Sequence, residues 1–301
     1  MLNDRADNGR RGRRRFLTQA GYAAAGALAV AGLGGVPGAW AAPKAPKTPP
    51  LPGEPPDKIN ASGITVTPTD PAITASSIEF PGLIMPIQAY VAAPVGGETY
   101  PGILMLHDAD GLSEHARDVA RRLAKAGYVA LAPDLLSRLG GTAKVGTVAE
   151  VSSAMTQISI PQFLQDANTA VRYLEAYPLV SKTRVGVLAL GLGGVFSWFL
   201  LSQNSDLRAA AIYSGGVPNF SLIPHLTAAV LVFFGDEDGH DANDLKDLDA
   251  AMKKTDLPWT YKIEAKAGRD FFDDTRRAYV AAAAKDAWKM TLDWYKGHLT
   301  A

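Results

Sequence analysis

The stretch Arg184-Val-Gly-Val-Leu-Ala-Leu-Gly-Leu-Gly-Gly194 constrains the fold more than any other part of this chain. Val185 to Leu190 form a nearly unbroken apolar run, which suits a strand covered on both faces. Gly191, Gly193 and Gly194 permit a tight turn, and the apolar residues beyond them carry the spacing of a helix. A strand that runs straight into a helix belongs to a parallel sheet, because parallel neighbours need a crossover connection. Further continuous apolar runs lie at 103–106, 129–132, 209–213, 230–234 and 260–265, and shorter β-branched or alternating runs at 64–67, 76–80 and 86–93 suit the opening strands. Helical patterns at 114–126, 163–176, 195–202, 245–253 and 275–296 alternate with them. The alternation predicts an α/β fold with one doubly wound, mostly parallel sheet. No internal repeat is evident, so a single domain is expected.

Ligands of open α/β sheets gather at the carboxyl ends of the strands. His107, Asp108 and Ala109 follow one such strand, Gly191 another, Ser214 a third, Asp238 a fourth and Arg269 a fifth. The fold therefore gathers residues that lie far apart in the chain.

The turn at Gly191 has the architecture of a nucleophile elbow, which lifts a reactive Ser or Cys above a sheet. Leu104-Met-Leu-His-Asp-Ala-Asp-Gly-Leu112, the run from Arg117 to Asp134, Phe234-Gly-Asp-Glu-Asp238 and Ala267-Gly-Arg-Asp-Phe-Phe-Asp-Asp-Thr-Arg276 occur in the same chain. With the elbow, they closely resemble the dienelactone hydrolase family, from about Ile64 to the C-terminus. The resemblance implies an α/β-hydrolase fold and hydrolysis of lactones and small esters by a Cys-His-Asp triad. By motif position the nucleophile falls on Gly191, the acid on Asp238 and the His on Arg269. The family's oxyanion hole falls on the backbone amides of Leu192 and Ala109, and Asp108 stands where the family usually has Glu.

Two of these three triad positions have lost the required chemistry. Glycine offers no attacking atom, and the chain contains no cysteine at all. A guanidinium stays protonated and cannot serve as a base. Arg269 is expected instead to form an ion pair with Asp238, Asp270 or Asp108. His107 is expected to be a structural hydrogen-bonding residue. A relocated pair, Ser214 with His240 or with His107, is the chemically conceivable rescue. Backbone donors survive side-chain replacement, so the hole is expected to persist as a site for a carbonyl or carboxylate. Three functions follow: a degenerate hydrolase that binds a small carbonyl or carboxylate ligand without turnover, an active hydrolase of small esters or lactones using the relocated residues, or an exported partner-binding domain.

Composition narrows the partners. The chain has 301 residues with 30 basic and 30 acidic groups. Six Arg and two Asp lie in residues 1–42, so the remainder is mildly acidic and gives no reason to expect nucleic-acid binding. No phosphate-binding glycine motif appears, so no nucleotide cofactor is implied, and His115, His225 and His298 lack a spacing that suggests a metal site. Arg13-Arg14-Arg15-Phe16-Leu17, a weakly apolar Ala/Gly-rich stretch and Ala39-Trp40-Ala41 read as a twin-arginine signal peptide over 1–42, cleaved before Ala42. The resulting expectation is a periplasmic or secreted protein that meets the membrane only through an uncleaved leader. Residues 43–60 are proline-rich and read as an extended, solvated linker. The domain is expected over 61–301, and nothing in the sequence sets an oligomeric state.

Overall fold

The computed structural model describes residues 49–299. The leader and its cleavage site lie outside the described residues. Eight strands form one sheet: β1 (Ile73–Phe80), β2 (Ile87–Pro94), β3 (Tyr100–Leu106), β4 (Val129–Pro133), β5 (Val180–Leu190), β6 (Leu207–Tyr213), β7 (Ala229–Gly235) and β8 (Trp259–Glu264). Their order is β1-β2-β4-β3-β5-β6-β7-β8. The pairs β1–β2 and β2–β4 are antiparallel and all the others parallel. The connecting α-helices among the described residues are α1 (Glu114–Lys125), α2 (Thr142–Val145), α3 (Val148–Thr156), α4 (Ile160–Glu175), α5 (Gly191–Leu201), α6 (Ala242–Met252) and α7 (Ala281–His298).

Side-chain alternation along β5 divides the interior into two layers. Val187 and Ala189 join one core with Phe163 of α4, Trp198 of α5 and Leu248 of α6. Leu188 and Leu190 join the other with Val119 and Leu123 of α1 and Trp288 and Tyr295 of α7. Both faces of the central strands are covered, as continuous apolar runs require.

Three sequence expectations are corrected. Residues 64–67 form no strand; the Thr65 and Val66 amides donate to the buried Asp118 carboxylate instead, at 2.9 and 2.8 Å. The last helix begins at Ala281 and not at 275. There the Asp273 carboxylate accepts from both the amide and the hydroxyl of Thr275, which builds a turn that competes with helix. The described part of the proline-rich stretch is partly exposed but also docks on α7 and the turn before it. The Pro52 carbonyl accepts from the Trp288 indole at 3.0 Å, the Pro56 carbonyl from the Tyr279 hydroxyl, and Lys285 pairs with Glu54 at 2.8 Å. Prolines exclude regular pairing, but their carbonyls remain free to accept from a neighbouring helix. The helices α2 and α3, with a Thr147–Glu150 capping box starting α3, fall in a stretch where no helix is expected from the sequence.

Candidate active site

Each singled-out residue sits at the carboxyl edge of the sheet. His107 to Ala109 follow β3, Gly191 follows β5, Ser214 follows β6, Asp238 follows β7 and Arg269 follows β8. β5 passes into α5 with no intervening loop, and Gly191 takes φ +47°, a left-handed conformation that is costly with a side chain. A Cβ on Gly193 would lie 2.4 Å from the His107 carbonyl oxygen, so the elbow can press against the loop after β3 only with glycine there.

That close approach brings two amides to one point. Ala109 N–H and Leu192 N–H both donate to Oδ1 of Asp108, at 2.6 and 2.7 Å. These are the two donors expected to form the oxyanion hole, and the atom between them is a carboxylate oxygen of the chain itself. A Cβ on Gly191 would stand 2.1 Å from the same carboxylate. Asp108 thus fills both the hole and the space a nucleophile's side chain would need. The plug requires the glycine, since no side chain at 191 leaves room for Asp108 there.

The residues expected to form the rest of a triad are less engaged. The Asp238 carboxylate is fully buried; Oδ2 accepts from the Gly235 amide at 2.8 Å, while Oδ1 has no partner. His240 approaches Oδ2 only to 3.9 Å and rests edge-on against Phe234. The expected Arg269 ion pair does not form: Arg269 is exposed and closes no ion pair among the described residues, and an exposed guanidinium keeps its hydration without a carboxylate partner. It reaches Asp270 only as a longer-range attraction. The Asp270 carboxyl is pushed up by burial and by the Asp108 and Asp273 charges, against the pull of Arg269.

The relocated pairs are not assembled either. His107 is fully buried with both nitrogens engaged: Nδ1 with the Asp108 carbonyl at 2.9 Å, and Nε2 accepting from the Leu135 amide at 3.1 Å. An imidazole used in this way has no lone pair for a serine, and burial pushes its pKa down. The Ser214 hydroxyl is buried with no hydrogen-bond partner, so it bonds neither His107 nor His240. Ser214 also has φ +50°, a strained value for a non-glycine residue.

The structure adds a group that the sequence did not single out. A cavity of about 30 Å³ lies beside Gly191, lined by Asp108, Leu190, Tyr213, Arg269, Phe272 and His115. His115, near the start of α1, bonds through Nδ1 to Oδ1 of Asp274 at 2.9 Å and lies 3.5 Å from Asp273. The pair is separated by 159 residues, and only the sheet topology brings it together. Asp274 is fully buried, and its other oxygen accepts from Arg122 at 2.8 Å and from Thr65 at 3.2 Å. Burial raises its pKa, yet the His115 bond and the Arg122 charge outweigh that, and the carboxyl stays below its ordinary value. His115, Asp273 and Asp274 lie close enough to suggest cation ligands. Their atoms are committed to one another, however, and Asp273 Oδ1 is further taken by Thr275. They form a hydrogen-bonded network more readily than a metal centre.

The sheet, its crossovers and the glycine elbow at the carboxyl edge define a protein of the α/β-hydrolase class. A family model for the dienelactone hydrolase family matches residues 87–299, and the chain belongs to that family. A protein of Methylorubrum extorquens named as a carboxymethylenebutenolidase is 28% identical over 78% of this chain and 85% of its own length. A Bradyrhizobium protein named as a 2-oxo-3-(5-oxofuran-2-ylidene)propanoate lactonase is 28% identical over 70% and 89%. Among solved structures, a dienelactone hydrolase of Klebsiella pneumoniae aligns with a TM-score of 0.69 at 24% identity, over 75% of this chain and 99% of its own. At that identity the likeness speaks for the fold alone.

Proposed function

We propose that this chain is an exported dienelactone hydrolase relative that binds a small carbonyl or carboxylate compound against the Ala109 and Leu192 amides, without covalent turnover. One observation carries the reading: both amides converge on a single oxygen of Asp108, which also occupies the space of a side chain at position 191. A hole that holds a carboxylate oxygen in two short hydrogen bonds is formed and polarised, with no attacking group at position 191. An external ligand must displace Asp108 and offset hydrogen bonds of about 1.5–3 kcal/mol each. A relative named as a lactonase agrees with a lactone-like ligand.

Calorimetry tests the reading. Asp108→Ala empties the hole and is expected to bind δ-valerolactam, a hydrolysis-resistant cyclic carbonyl, at least tenfold more tightly than wild type, and acetate more weakly than the lactam. Absence of binding by both proteins sinks the proposal. A fluorophosphonate probe is expected to leave the protein unlabelled, and a labelled serine would show covalent chemistry. Export is read from the leader: N-terminal sequencing of protein recovered outside the cytoplasm is expected to begin at Ala42, and an intact leader overturns that part.

A further inference from the structure

The cavity beside Gly191 is bordered by an imidazole that the inherited mechanism does not use. We propose that His115, held by Asp274, is a general base that delivers water to a carbonyl seated against the Ala109 and Leu192 amides, so that small lactones and esters are hydrolysed without a side-chain nucleophile. This rests on the preceding reading, because the carbonyl oxygen takes the place that Asp108 Oδ1 holds.

The parts are in place. Asp274 is a buried carboxylate and accepts only, so the shared proton resides on His115 Nδ1. Nε2 then carries the lone pair, and no described residue bonds to it. Arg122 and Thr65 fix the carboxylate from behind, and Phe272 meets the imidazole edge-on at 6.1 Å between centroids. The ring borders the same 30 Å³ space as Asp108 and Gly191, room for about one water. The base and room for a water therefore border one cavity, and Asp108, which lines the same cavity, holds the two oxyanion donors on its other side. Gly191 contributes by absence, since a side chain there would collide with Asp108 at the cavity wall.

The chemistry balances with water as the only co-reactant. The water oxygen bonds to the carbonyl carbon while His115 Nε2 takes one of its protons, and the carbonyl electron pair moves onto the oxygen facing the two amides. The intermediate collapses by breaking the bond from carbon to the alkoxy oxygen, and that oxygen takes the proton from Nε2. A carboxylic acid and an alcohol result, joined in one molecule when a lactone is opened. His115 returns to its starting form. The product carboxylate has the charge that Asp108 carries in the same hole, so Asp108 acts as an internal competitor.

The test uses the full mature protein with δ-valerolactone as substrate and δ-valerolactam as binding probe. Asp108→Ala is expected to hydrolyse the lactone faster than wild type. Adding His115→Gln should lower kcat by about 100-fold, the usual weight of a general base, while lactam affinity holds. Lactam binding by Asp108→Ala with hydrolysis no faster than buffer overturns the base and leaves the binding reading intact. Loss of binding and hydrolysis together in Asp108→Ala overturns both. An undiminished rate in the double variant also overturns the base. Should the double variant fail to fold, the rate of Asp108→Ala in deuterium oxide decides: slowing supports proton transfer during attack, and an unchanged rate refutes it.

Discussion

Asp238 and Asp274 are both fully buried carboxylates at the same edge of the sheet, and they differ in everything that touches them. Asp274 bonds an imidazole, a guanidinium and a hydroxyl. Asp238 bonds one backbone amide and leaves Oδ1 without a partner. The acid expected from the motif has no side-chain hydrogen bond, whereas Asp274 holds a histidine and an arginine. A buried acid therefore identifies a working site only together with the groups that orient it. The motif points to Asp238; the contacts point to Asp274.

The comparison breaks most severely at Arg122. Its guanidinium lies between Asp118 at 2.6 Å and Asp274 at 2.8 Å, with all three side chains buried. Arg122→Met leaves two carboxylates with too little compensating charge, and a loss of about 3–5 kcal/mol is expected in urea unfolding. A loss below about 1 kcal/mol would mean that the Asp274 network is not held by its charges.

Residue 191 supplies the next largest effect. Gly191→Cys places a Cβ inside the Asp108 carboxylate and forces a side chain onto a left-handed backbone, and should cost about 1–3 kcal/mol. Asp108→Ala removes the clash, so the double variant should recover much of the loss, with a coupling of about 1 kcal/mol or more. Additive losses would show that Asp108 moves aside freely and does not plug the hole.

These effects separate what the sequence made legible from what it did not. The mostly parallel sheet and the gathering of Gly191, Asp238 and Arg269 at one edge follow from apolar runs and glycine positions, because parallel crossovers leave few alternatives. The nearness of Asp108 to Gly191 did not follow, since sequence carries no record of which side chain fills a space left by another. Arg269 was misread for a related reason: an ion pair with buried Asp238 requires desolvation of the guanidinium, and solvent offers it more. His115 looked isolated because its partner comes from a turn after β8, and only the closed sheet brings the two together. The docked prolines were hidden because composition reports flexibility and not which carbonyls meet Trp288 and Tyr279.

A smaller effect tests His107. Burial depresses its pKa below the ordinary 6.5, while the Asp134 charge and the bond to the Asp108 carbonyl only partly oppose this. The unfolded chain binds a proton below pH 6.5 and the folded protein does not, so stability is complete above 6.5 and falls as pH drops. The slope from this residue cannot exceed about 1.4 kcal/mol per pH unit, one proton's worth. His107→Gln should flatten the curve between pH 6.5 and 5; an unchanged curve would mean the ring accepts a proton where it lies. His298, also lowered by burial, contributes in the same direction, and the difference between the two proteins isolates His107. Asp274 acts in a separate window: its depressed pKa gives stability above the ordinary 3.8 that disappears as pH falls further.

The smallest expected change returns to the two acids. Asp238→Asn keeps an oxygen for the Gly235 amide and replaces an unpartnered charged atom with a neutral one. Removing a buried charge whose nearest ion-pair partner, His240, stands 3.9 Å away should leave stability within about 1 kcal/mol of wild type, on the favourable side. Asp274→Asn, by contrast, takes the charge from between His115 and Arg122 and should cost about 2–3 kcal/mol. Equal losses at both positions would mean that Asp238 is stabilised by a field its direct contacts do not reveal. In that case the triad side retains an electrostatic role, and the division between an abandoned acid and a maintained one fails.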